Sequence, residues 1–194
     1  KILPIVNEYK NVKIMKVIAL EDLWINRVCA HINCDLPSAK DAIKDNCGYL
    51  SVINSKTEFM TDAIESNPFE STHFAWIDFN ITYVFHEFEY VLKYLRFLSM
   101  RPFKTPMMVV PGCWKKWEGA NPGVNYDYQI LDQIHWRFCG GFFIGDKQSI
   151  LDFAEYYRIH FVNFVNKYKK LVWEVNFWAW LNATTDWEPT WFLA

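Results

Sequence analysis

The sequence predicts an α/β fold, a single domain in which a central, mostly parallel mixed sheet is flanked by helices. Segments typical of short buried strands alternate with segments whose apolar residues recur every three or four positions, and this alternation indicates a layered α/β architecture. The chain has 194 residues, of which 52% are hydrophobic and 19% aromatic. This length suits one domain with a substantial core and is too short for two ordinary ones, so we expect one domain over 1–194.

Charge and cysteine content exclude several classes of function. The net charge is −2 and acidic and basic residues are mixed along the chain, so a nucleic-acid partner is disfavoured. The five cysteines are odd in number and form no CxxC, which predicts reduced thiols in the cytoplasm and supports neither a zinc site nor a disulfide framework.

No apolar run approaches 18 residues, so we expect no transmembrane segment. The chain begins without Met, which is compatible with a segment taken from a longer chain.

The first third of the chain predicts two strands and two helices. "ILPIV" (2–6) and "VKIMKVIAL" (12–20) are typical of short buried strands. "DLPSAKDAIKDN" (35–46) is interpreted as a short helix that ends near Asn46 and Gly48. "SKTEFMTDAIESNPF" (55–69) predicts a second helix that stops before Pro68, because a residue preceding proline avoids the α region.

The middle of the chain predicts a strand, a helix, a second strand and a long loop. "HFAWIDFNI" (73–81) is interpreted as a strand or a strand end, and apolar spacing of three and four predicts a helix from Tyr83 to Leu98. "KTPMMVVPGCW" (104–114) predicts a strand bounded by prolines. The loop over 114–128 is longer than a typical connection, as lids and binding loops are.

The last third predicts a strand and a long helix. "WRFCGGFFIGD" (136–146) is typical of a strand with a glycine pair at its centre, and Ser149-x-x-Asp152 resembles a capping box that opens a helix. The buried stripe of that helix should contain Ile150, Phe153, Tyr157, Phe161, Phe164 and Tyr168. "LVWEVNFWAWLN" (171–182) fits a helix or a strand.

Asp78-Phe79-Asn80 is the first candidate site, because a carboxylate in such apolar surroundings costs several kcal/mol unless a neighbour or a metal pairs with it. On a strand, Asp78 and Asn80 point to the same side. Two hard oxygens at the carboxyl end of a strand can hold Mg²⁺ or Mn²⁺, with the phosphates of a nucleotide completing the shell. The alternative is that one of them only caps the helix that begins near Thr82.

Two further segments are candidate sites: one contains a pair of glycines next to aromatic residues, and the other contains two polar residues within an aromatic run. Gly140 and Gly141 would weaken a strand, so either a ligand approaches the backbone there or the pair marks a bulge or a close packing contact. Glu174 and Asn176 lie within an aromatic run, which favours a functional pocket over an amphipathic surface. The five histidines lack HxxxH and HExxH spacing, and neither a P-loop nor a nucleophile elbow occurs.

Taken together and in this order, these three segments resemble glycosyltransferases of the GT-A fold, which have a metal-binding DxD motif at the end of a central strand. "NPFESTHFAWIDFNI", "CGGFFIGDKQSI" and "LVWEVNFWAWL" are similar to a family of such enzymes found in bacterial surface-polysaccharide loci and in large DNA viruses of algae, including chlorella viruses, whose capsid glycoprotein is the acceptor. The resemblance covers roughly residues 57–191 and rests on three segments, so it is more specific than any one motif.

The resemblance implies a UDP-sugar donor, a divalent metal (Mn²⁺ or Mg²⁺) and an acceptor that is a growing glycan or glycoprotein. Asp78 and Asn80 would hold the metal, and Trp76 and Ile77 would lead the strand into the donor site. The pair Gly140 and Gly141 would form its floor near the sugar. Glu174 and Asn176 would be the catalytic polar groups. The resemblance also implies a cytoplasmic protein, which would lie in the host cytoplasm if the chain is viral.

Two departures from the family pattern concern the metal. Asn80 replaces the second acid of DxD, and no histidine follows Trp191 to act as a further ligand. Two alternative functions stay open: a nucleotidyltransferase, for which the basic Gly-rich loop is not visible, and a non-catalytic carbohydrate-binding domain that uses its tryptophans as a platform.

Overall fold

The computed structural model describes residues 11–13, 16–79, 81–84, 87–100, 105–116 and 126–193. The predicted strand at 2–6 and most of the predicted loop at 114–128 fall outside them. Asn80 also lies outside the described residues.

Seven α-helices occur within the described residues. They are α1 (Trp24–Ile32), α2 (Cys47–Asn54), α3 (Lys56–Ser66), α4 (Phe88–Ser99), α5 (Tyr126–Asp132), α6 (Lys147–Tyr168) and α7 (Glu174–Thr184). Short 3-10 helices cover Leu20–Asp22 and Ile81–Val84. No helix in this part of the chain is long and apolar enough to cross a membrane.

A four-stranded mixed sheet lies among these helices, in the order β1 (His73–Ile77), β3 (Phe142–Asp146), β2 (Met108–Gly112), β4 (Thr190–Leu193). The predicted α/β class, with one domain and a mixed sheet, is confirmed. Strand β3 pairs antiparallel with both β1 and β2, and β2 pairs parallel with β4. Two of the three pairings between described strands are thus antiparallel, where we expected mostly parallel pairing.

The core is built around α7, which is apolar on all sides and buried along its first nine residues, Glu174–Asn182. A helix that is hydrophobic all round requires neighbours on every side. Helix α6 supplies one of them through the predicted stripe, which is buried except for the half-buried Tyr168. The rings of Phe153 and Phe143 meet Trp178 edge-on at 5.8 and 5.7 Å. Many of the aromatic residues therefore serve the core.

The helix predicted over 35–46 does not form. Helix α2 begins at Cys47, directly after the position at which the predicted helix should have ended. The Asp41 carboxylate accepts hydrogen bonds from the backbone N–H groups of Ile43 and Lys44, which gives this segment a turn in place of a helix. Asn46 is the N-cap of α2, since its side chain accepts from the Tyr49 N–H at 2.9 Å.

Other boundaries also differ from the predictions. The described residues of 12–20 form no strand and are mostly exposed. The glycine pair forms a turn just before β3 and does not lie at the centre of the strand. Asp146, and not Ser149, caps α6, because its carboxylate accepts from the N–H groups of Gln148 and Ser149. The segment 171–182 is helical from Glu174. The elements that were not predicted are α1, α2, α5 and β4.

Candidate functional site

The residue directly after β1 is Asp78, whose side chain is 39% exposed. Its backbone N–H donates to the carbonyl of Gly141 at 2.9 Å. This hydrogen bond joins the end of β1 to the glycine turn and places Asp78 at the edge of the sheet. The Trp76 indole N–H donates to Oδ1 at 2.6 Å, which confirms that Trp76 and Asp78 share a face of the strand. Asp78 is therefore held in one orientation and still meets solvent.

Lys56, the first residue of α3, is the partner that the Asp78 carboxylate requires. Its side chain is 3% exposed, and its ammonium lies 3.0 Å from Asp78 Oδ1. The ammonium also donates to the Gly140 carbonyl at 2.8 Å and to Glu174 Oε1 at 2.7 Å. A lysine ammonium has three N–H groups, so these three acceptors satisfy it. We call Lys56, Asp78 and Glu174 the charge cluster.

Glu174, the first residue of α7, is the buried member of the charge cluster. Burial raises the pKa of its carboxyl group, and the neighbouring Lys56 opposes this rise. The negative charge lies at the N-terminus of a helix, where the macrodipole favours it. Glu174 thus contacts Lys56 and the protein interior, whereas Asp78 is the member that solvent reaches.

The charge cluster is not explained by protein stability alone, because burying its charges costs free energy. A buried ion pair often contributes less than apolar residues of the same volume, because both charges lose their hydration. Lys56 also lies at the N-terminus of α3, where the helix dipole disfavours a cation. Two carboxylates against one ammonium leave a net charge of −1 when both acids are ionised, and Asp78 presents it to solvent. Such clusters are candidates for functional sites.

The two glycines lie against this cluster, and each has a different neighbour. A Cβ on Gly140 would lie 2.2 Å from Glu174 Oε1, so a side chain there would displace the carboxylate that holds Lys56. A Cβ on Gly141 would lie 3.4 Å from Ile81 Cδ1 and 3.7 Å from Asp78 Oδ2, which are ordinary contacts. Gly140 is therefore required by the protein's own packing, and Gly141 keeps the surroundings of Asp78 open.

Trp76 is fixed between two aromatic rings. Phe59 of α3 stacks on it at 6.0 Å and Phe143 of β3 at 6.5 Å, while the Lys56 ammonium lies 5.7 Å from its ring centroid. Ile77 is exposed, and strand alternation turns it away from the face of Trp76 and Asp78. Of these two predicted donor-site residues, the structure brings Trp76 alone into the cluster.

Asn176, which we predicted as a catalytic residue, does not join the charge cluster. Its side chain is fully buried; its Oδ1 accepts from the His135 backbone N–H at 2.8 Å. Its amide group donates to the carbonyls of Ile130 and Gln133, both at 2.6 Å. With its donors and acceptor engaged by the backbone, Asn176 anchors the end of α5 to α7.

Lys56 was missed by the sequence analysis, although a signal for it exists. Lys56, Met60 and Ile64 follow one another at intervals of four, and all three are buried on α3. A lysine in register with the apolar stripe of a helix must find a buried acceptor. This spacing could have indicated a carboxylate partner, but not which one.

Comparison with known proteins gives one family. A family model named HtrL_YibB and described as a bacterial protein of unknown function matches residues 7–172, which include Lys56, Asp78 and both glycines and end just before Glu174. No curated protein and no solved structure matches the chain.

Proposed function

The chain belongs to the HtrL_YibB family, and we propose that it is a metal-dependent glycosyltransferase. It transfers a hexose or deoxyhexose, with glucose or rhamnose expected, from a UDP-sugar to a hydroxyl group of a growing glycan in the cytoplasm. The proposed acceptor is the glycan of a viral capsid glycoprotein. The observation that carries the proposal is the meeting of Asp78, the glycine turn and Glu174, three segments far apart in the chain, around one buried ammonium.

The residues present fit a metal that arrives with its substrate. Among the described residues no three His, Cys, Asp or Glu side chains are grouped so that they could hold a metal ion by themselves. A carboxylate has about four lone-pair positions, and Trp76 at Oδ1 and Lys56 at Oδ2 occupy two of those on Asp78. Mg²⁺ is commonly held by one or two carboxylates together with substrate phosphates. Asp78 therefore suffices as a protein ligand if the diphosphate supplies the others.

The nearby Lys56 weakens the attraction of Asp78 for a free cation, which explains why the diphosphate is needed as a partner. A divalent cation bound at Asp78 would offset the negative charge that develops on the leaving diphosphate. Lys56 and the Trp76 N–H hold the carboxylate in place before the substrate arrives, and such preorganisation avoids reorganisation during the reaction.

Glu174 takes a different role from the catalytic one that we expected. Because it is buried behind Lys56, it acts through that lysine and is a positioning residue. Its carboxylate fixes the ammonium, and the ammonium fixes Asp78.

The proposal is tested by thermal unfolding with UDP, CMP, GDP or buffer, each with and without Mn²⁺. We expect UDP with Mn²⁺ to raise the Tm by roughly 5–10 °C at a concentration about 100 times Kd, because a ligand that binds only the folded state stabilises it. Asp78→Asn should lose this rise, and Asp152→Asn, an exposed control on α6, should keep it. The absence of any UDP response in the wild type, or an undiminished response in Asp78→Asn, contradicts the proposal.

A carbohydrate-binding domain is the second candidate, because two exposed aromatic side chains, Phe79 and Tyr83, lie close to Asp78 in the chain. Flat exposed rings are suited to sugar faces. Such a domain should ignore nucleotides and respond to oligosaccharides in the same unfolding assay. A nucleotidyltransferase would instead respond to a nucleoside triphosphate with Mg²⁺, and including UTP and ATP separates it from the glycosyltransferase.

A further inference from the structure

Two cysteine thiols lie next to each other beside the charge cluster. Cys113, which follows β2, and Cys139, which precedes the glycine turn, have their Sγ atoms 3.3 Å apart. We propose that these residues are a redox modification site, in which a small-molecule disulfide of the glutathione type converts the two thiols into an intramolecular disulfide. This inference does not depend on the proposed function.

The backbone holds the two thiols together. The N–H groups of Cys113 and Trp114 both donate to the carbonyl of Trp136, at 3.3 and 3.0 Å, and the N–H of Cys139 donates to the carbonyl of Pro111 at 2.8 Å. Three hydrogen bonds thus join the chain on either side of the pair. These bonds hold the backbone at the two cysteines close together, and the side chains then place the two sulfurs 3.3 Å apart.

The two thiols differ in access, which gives them different parts in the reaction. Cys113 is exposed and Cys139 is half-buried. Burial, followed by the hydrogen bond and the charge of Cys113, raises the pKa of Cys139 to about 12. An oxidant thus meets Cys113 first, because reaction requires an accessible thiolate. Once Cys113 carries the glutathionyl sulfur, its contributions to the pKa of Cys139 disappear.

The reaction is balanced by two thiol–disulfide exchanges. The Cys113 thiolate attacks one sulfur of the small disulfide, forms a mixed disulfide and releases one small thiol. The Cys139 sulfur then attacks Cys113 Sγ, loses its proton to solvent and releases the second small thiol. The two cysteines are oxidised by two electrons and the small disulfide is reduced to two thiols.

The disulfide between Cys113 and Cys139 would restrain the backbone next to the charge cluster. Cys139 is bonded to Gly140, whose carbonyl accepts a hydrogen bond from Lys56. The two cysteines are separated by 26 positions, and cross-linking a loop of this size reduces the entropy of the unfolded chain. We expect the oxidised protein to melt roughly 5–10 °C higher than the reduced protein.

The test is a titration of the reduced protein with glutathione disulfide, followed by alkylation of free thiols, trypsin digestion and mass spectrometry. Trypsin places Cys113 alone in peptide 105–115 and Cys139 alone in peptide 138–147, so the disulfide appears as one linked pair of peptides that reduction separates. Exposed Cys47, whose thiol hydrogen-bonds the Asn26 side chain, is the reference for modification of an exposed cysteine.

We expect the linked pair at lower oxidant concentration than glutathionylation of Cys47, and a higher Tm in the same samples. Cys139→Ser should instead accumulate a mixed disulfide on Cys113, while Cys47→Ser should form the linked pair as the wild type does. A wild-type protein in which Cys113 is glutathionylated while Cys139 remains free, or in which Cys113 is modified no sooner than Cys47, overturns the proposal.

Discussion

Replacing Lys56 by methionine tests whether the charge cluster is held together by its ammonium. Met is close to Lys in length but cannot pair with a carboxylate, so Glu174 is left as an unpaired acid that is 8% exposed. Removing one partner of a buried ion pair typically costs about 3–5 kcal/mol. This is a large part of the total stability of a domain, which is about 5–15 kcal/mol.

The double variant Lys56→Met/Glu174→Gln separates charge from packing. It removes both buried charges, and replacing a buried pair by neutral groups of similar volume is often close to neutral. We therefore expect the double variant to recover at least about half of the loss seen in Lys56→Met. The loss in the single variant should also shrink as pH is lowered from 7, because burial raises the pKa of Glu174 and a proton then neutralises it.

The assay is urea unfolding followed by tryptophan fluorescence, for which the chain offers 10 Trp. The slope of the transition must stay constant for the comparison to be valid. Lys116→Met is the matched control, because Lys116 pairs with Glu188 at the surface and should lose at most about 1 kcal/mol. A loss in Lys56→Met no larger than in this control, or a double variant as unstable as the single one, would refute the reasoning.

Two further predictions concern the glycine turn and a buried histidine. Gly140→Ala should lose about 1–3 kcal/mol, since its Cβ displaces the Glu174 carboxylate, whereas Gly141→Ala should stay within about 1 kcal/mol of the wild type in the same urea assay. Equal losses would contradict the assigned contacts. Burial, followed by the charge of Arg137, lowers the pKa of His135 to about 4 from 6.5. Stability should therefore be fully present above pH 6.5 and fall by about 3 kcal/mol as the pH drops towards 4. His135→Gln should flatten this part of the profile, and an unchanged slope would remove His135 as its source.

The elements that the sequence predicted well are those whose pattern reports burial directly. The stripe on α6 and the stop of α3 before Pro68 follow from spacing and from the backbone limits of proline. The segment 35–46 was predicted poorly because the carboxylate of Asp41 competes with the helix for backbone N–H groups. The parallel partner of β2, the strand β4, lies near the end of the chain, and pairing between distant segments leaves no local pattern.

The sequence by itself determined that the chain folds as one α/β domain and that Asp78, an acid within an apolar run, must have a partner. It also indicated that the glycine pair and the polar residues of 171–182 needed close neighbours. Only the tertiary structure decided that Lys56 is the partner, that Glu174 shares it and that Asn176 does not. The physical reason is that burial and pairing energies depend on which distant segments meet, and that choice is made by the packing of α3, β1 and α7 against one another.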